Sequence, residues 1–261
     1  MQMPTNDEVA HWNPVLQDFG TFARVYFKVG TDTKNWVTKY GDFDYCSETW
    51  SEICELVDGD DSGGRGPVKN KCLVTPEGRI VAGASTEQGV WRAFFDLSDD
   101  GGNTWEKTDY VVAKNKEGED VEMIQPTLWM DFAGELHSMF RTKDKLIYRS
   151  DSFDGGRSWS EAYPTCLPNN NSGIDCVTTP NGWLWLAYNP IADGRRNKLI
   201  LSVSKNNGES WEDVAVLEES SNPFAEFSYP AIIAVENDII VTYTYKREFI
   251  KYAFLHFEFS C

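Results

Sequence analysis

Six cations fall where short strands end in the sequence: Arg65, Lys69, Lys71, Arg141, Arg196 and Arg247. They are scattered along the chain, so only the fold can gather them. An arginine offers a planar fork of N–H donors that meets a carboxylate with two parallel, charge-assisted hydrogen bonds. The chain as a whole repels anions, because 41 Asp and Glu face 24 Lys and Arg, for a net charge of −17. Binding an anionic ligand therefore needs a local basic pocket, and these residues are its candidates. The competing reading makes them surface cations or bridges between neighbouring elements of the fold.

A second group is polar and uncharged apart from one acid. Asn169, Asn170, Asn171, Ser172, Gly173 and Asp175 share one loop. Amides and a carboxylate suit the recognition of sugar hydroxyls, with Asp175 as a candidate acid. The same residue types also build capped turns, and both readings stand. Lys69-Asn70-Lys71 follows Gly63-Gly64-Arg65-Gly66-Pro67. That run does not match the G-x-x-x-x-G-K-[ST] phosphate loop. Three His and six Cys with no C-x-x-C pair argue against a structural zinc site, and no cofactor is expected. Cys166 and Cys176 either bridge across a polar loop or remain free thiols.

The acidic balance argues against nucleic-acid partners and against anionic lipid surfaces. No apolar run of about 18 residues is present, so no membrane span is expected. The first residues, MQMPTNDEVAHWNP, have neither the basic start nor the apolar stretch of a signal peptide. Compartment and oligomeric state are not legible.

The elements that must position these residues are repeats. One octet pattern, S-x-[DN]-x-G-x-[ST]-W, occurs at Ser98 to Trp105, Ser152 to Trp159 and Ser204 to Trp211, with a degenerate copy ending Glu48-Thr49-Trp50. A period of about 50 residues marks stacked or radial repeats. Around each octet lie short runs rich in Val, Ile, Tyr, Phe and Trp, such as ARVYFKV, RIVAGAS and WLWLAYN, bounded by Gly, Asn and Asp. These are strands, and no segment sustains a 3.6-residue period. The octet suits a hairpin between third and fourth strands, with Asx bonding its own backbone, Gly supplying positive φ and Trp packing between repeats. The expectation is one all-β domain over residues 1–261, a β-propeller of about five four-stranded repeats.

The octet is the Asp-box, and the chain resembles sialidases and sialidase-like BNR-repeat proteins. The segments GGRGPVKNK, QPTLW, FRT, LPNNNSGID, GRRNKL, EFSYPAI and YTYKRE strengthen the resemblance. It implies a six-bladed propeller, whereas five repeats are visible. It implies that Arg141 and Arg196 hold a sugar carboxylate and that Tyr229 is the nucleophile. Arg65, Lys69, Asn171 and Arg247 are further candidates for substrate binding. The family's first arginine and catalytic aspartate belong to an opening blade with no counterpart found here. Gln125 stands near the position of the glutamate that activates the tyrosine, and Gln cannot accept a proton. Glu226, three residues before Tyr229, is a candidate substitute.

A tyrosine nucleophile suits an anionic sugar, which would repel a carboxylate nucleophile. The implied partner is a sialylated or other anionic glycan, and the implied activity is that of an exo-α-sialidase. The alternatives are a carbohydrate-binding propeller without turnover, or a hydrolase or lyase for uronic acids on the same fold.

Overall fold

The computed structural model describes residues 8–257. Within that range the chain forms strands, turns and bends, and no described helix is long and apolar enough to cross a membrane. The strands make five antiparallel sheets in chain order, the blades of a β-propeller. The first sheet holds β1 (His11–Asp18), β2 (Phe22–Val29), β3 (Val37–Asp44), β4 (Thr49–Trp50) and β5 (Cys54–Glu55). The second holds β6 (Leu73–Val74), β7 (Ile80–Thr86), β8 (Arg92–Ser98) and β9 (Glu106–Lys107). The third holds β10 (Met123–Met130), β11 (Leu136–Thr142), β12 (Leu146–Ser152) and β13 (Tyr163–Pro168). The fourth holds β14 (Asp175–Thr178), β15 (Leu184–Tyr188), β16 (Lys198–Ser204) and β17 (Glu212–Glu219). The fifth holds β18 (Phe227–Val235), β19 (Asp238–Tyr245) and β20 (Phe249–His256).

The five sheets are the five repeats visible in the sequence, where the resemblance alone implies six blades. Four strands per repeat holds for the middle three sheets only. In the first sheet β4 and β5 pair separately with β3, and the fifth sheet has three described strands. Cys166 and Cys176 are free, the first exposed and the second buried, while Cys261 lies outside the described residues.

Each octet forms the turn between third and fourth strands, and its internal bonds repeat. The glycine N–H donates to the box serine hydroxyl at 2.8 Å in Gly102, 3.0 Å in Gly156 and 2.8 Å in Gly208. The box acid or amide accepts from the backbone N–H four residues on, at 2.9 Å for Asp100, Asp154 and Asn206 alike. These glycines hold φ between +84° and +88°, which costs a residue without Cβ little.

The boxes also join sheets. Arg24 donates to the Gly102 carbonyl at 2.7 Å, Arg79 to Gly155 at 3.1 Å and Arg149 to Asn207 at 2.6 Å. Each guanidinium reaches from one sheet to the box of the next, and each is steadied by an aspartate: Asp42, Asp99 or Asp151. The box tryptophans pack across the same seams. Trp105 meets Tyr26 edge-on, and Trp159 stacks on Phe95 at 3.9 Å.

Sheets flanked on both sides bury both faces, so β7 and β11 are buried at every position. Apolar clusters fill the seams from the first sheet to the fifth. Among the described residues no such cluster joins the fifth sheet back to the first. The outer face of the fifth sheet, with Ile233, Ile250, Tyr252 and Phe254, is exposed.

Candidate functional site

The first strands of the sheets converge on the axis and carry a recurring distortion. Asn13, Gln125 and Tyr229 all have positive φ, at +46°, +55° and +52°, and each precedes a proline. The pairing register shifts at the same points, between Trp12 and Val15, Ile124 and Thr127, and Ser228 and Ala231. These are β-bulges that re-aim one side chain out of the ladder. Left-handed backbone in a non-glycine residue before proline is strained, and such strain concentrates at functional sites. Here it turns Gln125 and Tyr229 toward a common cleft.

The cleft has a volume of about 550 Å³ and takes its walls from four sheets. Trp12, Asn13 and Trp36 come from the first, Lys69, Glu87 and Trp91 from the second, Gln125 and Arg141 from the third, and Tyr229 and Ile250 from the fifth. A neighbouring hollow of about 370 Å³ shares Tyr229, Thr244 and Ile250, and adds Glu226 and Arg247.

Arg141 and Arg196 are linked through one residue. Asn171, at φ +62°, accepts from Arg141 Nε with its side-chain oxygen at 2.8 Å and from Arg196 Nη2 with its carbonyl at 3.2 Å. Gln125 Oε1 accepts from Arg141 Nη1 at 3.0 Å. Glu226 takes Arg196 Nη1 at 3.0 Å, Arg247 Nε at 2.5 Å and the Ser228 hydroxyl at 2.7 Å. Burial disfavours the Glu226 carboxylate, but the bonds from Arg247 and Ser228 and the charge of Arg196 outweigh it, so its pKa falls below the usual value. Glu226 thus orients arginines and is poorly suited to draw a proton from Tyr229.

The Arg196 guanidinium lies 5.4 Å from the Tyr229 ring centre. Burial pushes the phenol up, yet hydrogen bonding to Arg196 and the charges of Arg196 and Arg141 bring its pKa below 10.0. Electrostatics from two guanidiniums therefore favours the phenolate, which is what a nucleophilic tyrosine requires.

Two expected site residues are placed elsewhere. Arg65 donates to Asp96 Oδ1 at 2.8 Å and to the Trp105 carbonyl at 3.0 Å, which makes it a brace within the second sheet and not a cleft residue. Asp175 is buried and holds the axis together. Its oxygens accept from Lys71 at 2.9 Å, from Thr127 Oγ1 at 2.8 Å and from the Ile232 N–H at 3.0 Å, contacts to three other sheets that engage the carboxylate in holding the sheets together. Lys69 reaches the cleft, but its amine donates to Asn70 Oδ1 at 2.7 Å and to the carbonyls of Ile174 and Pro230 at 3.1 and 2.6 Å. Burial, with the Lys71 and Arg141 charges, lowers its pKa to about 8.

Sequence reasoning missed Trp12, Trp36, Trp91 and Glu87. The repeated tripeptides W-N-P, I-Q-P and S-Y-P were a usable signal for Trp12, since each marks a bulge at the axis. Away from the cleft, Asp131, Glu135 and His137 have donor atoms within 4.8 Å of one another. Arg149 Nη2 stands 3.0 Å from His137 Nδ1, so a fixed positive charge already sits beside that cluster.

A family model described as BNR repeat-like domain matches residues 2–241. No curated protein sequence matches the chain. A Hadza microbial sialidase superposes with a TM-score of 0.76 at 14% identity, over 94% of this chain and 52% of its own. A Trypanosoma rangeli sialidase holding 2,3-difluorosialic acid as a covalent intermediate superposes at 0.68 and 14% identity, over 89% of this chain and 42% of its own. An exo-beta-1,3-galactanase from Clostridium thermocellum superposes at 0.66 and 10% identity, over 94% and 59%. The chain thus spans about half the length of these structures, and at such identities the likeness is one of fold.

Proposed function

Because the chain belongs to the BNR repeat-like domain family, we propose that it is a sialidase-like glycoside hydrolase acting on a terminal anionic sugar. The observation that carries this reading is the unit Arg141–Asn171–Arg196 beside a tyrosine whose phenol is pulled toward ionisation. The contacts within the protein leave N–H donors of both arginines for a ligand carboxylate. A carboxylate so held sets the anomeric carbon beside the Tyr229 oxygen. The phenolate attacks, and the negative sugar that would repel a carboxylate nucleophile is already neutralised by the clamp. Asn171 fixes the spacing of the two guanidiniums, and Glu226 with Arg247 holds Arg196 from behind.

The test is release of fluorophore from an aryl sialoside by wild type and by Tyr229→Phe. The expected result is turnover that falls by at least about 10³-fold in the variant, which keeps the clamp and loses the nucleophile. A folded wild type that releases nothing overturns the hydrolase reading. A uronate-capped glycan cleaved in place of the sialoside keeps the clamp and changes the sugar.

A second reading is favoured by Gln125, a neutral amide in contact with Arg141, and by the engagement of Glu226 with arginines. Neither offers a base to Tyr229, and a propeller that binds the sugar without turnover would look the same. Sialic acid binding that is lost in Arg141→Ala, without any product, is its signature.

A further inference from the structure

We propose that Glu87 is the catalytic proton donor to the leaving group in this cleft, an assignment that rests on the hydrolase reading above. Glu87 is the one carboxylic acid among the residues lining the larger cleft, where it shares the walls with Tyr229 and Arg141. Glu226 lines the other hollow and is bound by two arginines. Glu87 directly follows β7, at the axial end of the second sheet. Its Oε2 accepts from Thr33 Oγ1 at 3.1 Å. Among the described residues that is its hydrogen-bond donor, so the other carboxyl oxygen is available to a ligand.

The environments of the two cleft acids diverge. Burial raises the pKa of Glu87 above the ordinary carboxylate value, and the Thr33 bond and the Arg141 and Lys143 charges offset it only in part. Tyr229 moves the opposite way. Titratable groups pushed apart within one site mark the acid and the nucleophile or base. A protonated Glu87 and an ionised Tyr229 are the forms that a displacement at a glycosidic carbon uses.

The step balances as follows. The Tyr229 phenolate forms a bond to the anomeric carbon, and the bond from that carbon to the glycosidic oxygen breaks. The leaving oxygen keeps the bonding pair and takes the Glu87 proton. Water then attacks the same carbon, gives a proton to the Glu87 carboxylate, and releases the Tyr229 phenolate. The sum is hydrolysis, with both side chains restored.

The experiment compares kcat/KM of wild type and Glu87→Gln on two sialosides, one with a nitrophenyl leaving group and one linked to lactose. A nitrophenolate departs without a proton, whereas the lactose alkoxide needs one. The expected result is a loss of about 10²–10⁴-fold on the lactose linkage and less than about 10-fold on the aryl substrate. The alkaline fall of the wild-type profile on the lactose substrate should disappear in the variant, and Glu87→Asp should recover part of the rate. Equal losses on both substrates, or no loss on lactose, overturn the assignment of Glu87. A wild type inert toward both substrates overturns the hydrolase reading and the assignment with it.

Discussion

At the three box turns, equivalent positions carry equivalent residues: Ser98, Ser152 and Ser204, then Gly102, Gly156 and Gly208, then Trp105, Trp159 and Trp211. At the axial bulges, equivalent positions carry different residues on the same backbone: Asn13, Gln125 and Tyr229, each left-handed and each before proline. The strands opposite extend the contrast, since Lys28, Arg141 and Thr244 pair with Trp12, Ile124 and Ser228 just before the bulges. Where a side chain only has to close a turn or fill a seam, one solution serves every sheet. Where the sheets must compose a single asymmetric ligand site, each contributes a different group. In this molecule repetition marks structure, and divergence within the repeat marks chemistry.

The comparison breaks most visibly if a box residue proves to matter for binding. Trp159 stacks on Phe95 across the seam between the second and third sheets and donates its indole N–H to Gly156 at 3.0 Å. Trp159→Ala should cost about 3–5 kcal/mol of stability, the usual cost of emptying a packed aromatic site. Denaturant unfolding checks the loss. KM at a temperature where the variant is folded should match wild type, and a changed KM would place the box in the binding machinery.

Two arginines sharpen the same contrast with a smaller effect. Arg149 ties the third sheet to the Asn207 carbonyl of the next box, and Arg196 faces Tyr229. Arg196→Ala should raise KM about 10- to 100-fold, the scale of charge-assisted hydrogen bonds to a ligand, and leave Tm nearly unchanged. Arg149→Met should lower Tm and leave KM alone. Parallel melting curves and kinetics on both variants decide it. A KM effect in Arg149→Met would show that the rim and the mouth are coupled.

The uneven legibility of the sequence has the same cause. The box turns are local chemistry within eight residues, so strands, turns and the all-β architecture could be inferred without long-range information. The split outer strand of the first sheet was not legible, because Ser51–Ile53 interrupts β4 and β5 without a glycine or proline to announce it. Arg141, Arg196 and Tyr229 were singled out by the family resemblance, and the structure brings them together from three successive sheets. Arg65 was a candidate beside them and misled, since its partner Asp96 lies 31 residues away and is brought to it only by the packing of the second sheet. Glu87 was missed because nothing in its neighbours separates a cleft residue from a solvated one, and Trp12 because the x-x-Pro pattern it shares with Ile124 and Ser228 marks an axial bulge only once the three sheets are compared.

Lys28 gives the smallest and finest test. It occupies the register position of Arg141, but its ammonium turns into the first sheet and donates to Thr38 Oγ1 and the Arg65 carbonyl, both at 2.6 Å. Burial, opposed by the charges of Asp96 and Asp60, lowers its pKa from 10.5 to about 7. Between those values the unfolded chain binds a proton that the folded chain does not, so stability rises with pH through this window. The contribution is at most about 1.4 kcal/mol per pH unit, and below pH 7 the folded state carries the full cost of a buried cation. Lys28→Met removes the titration. The stability of wild type relative to Lys28→Met should therefore climb from pH 7.5 to 9 in urea titrations, while wild-type KM for the anionic sugar is unaffected by the substitution. A relative stability that is flat across this range would mean that Lys28 is not the inward-turned counterpart of Arg141. The divergence at that register position would then need a cause other than the inward turn of one cation and the placement of the other in the wall of the cleft.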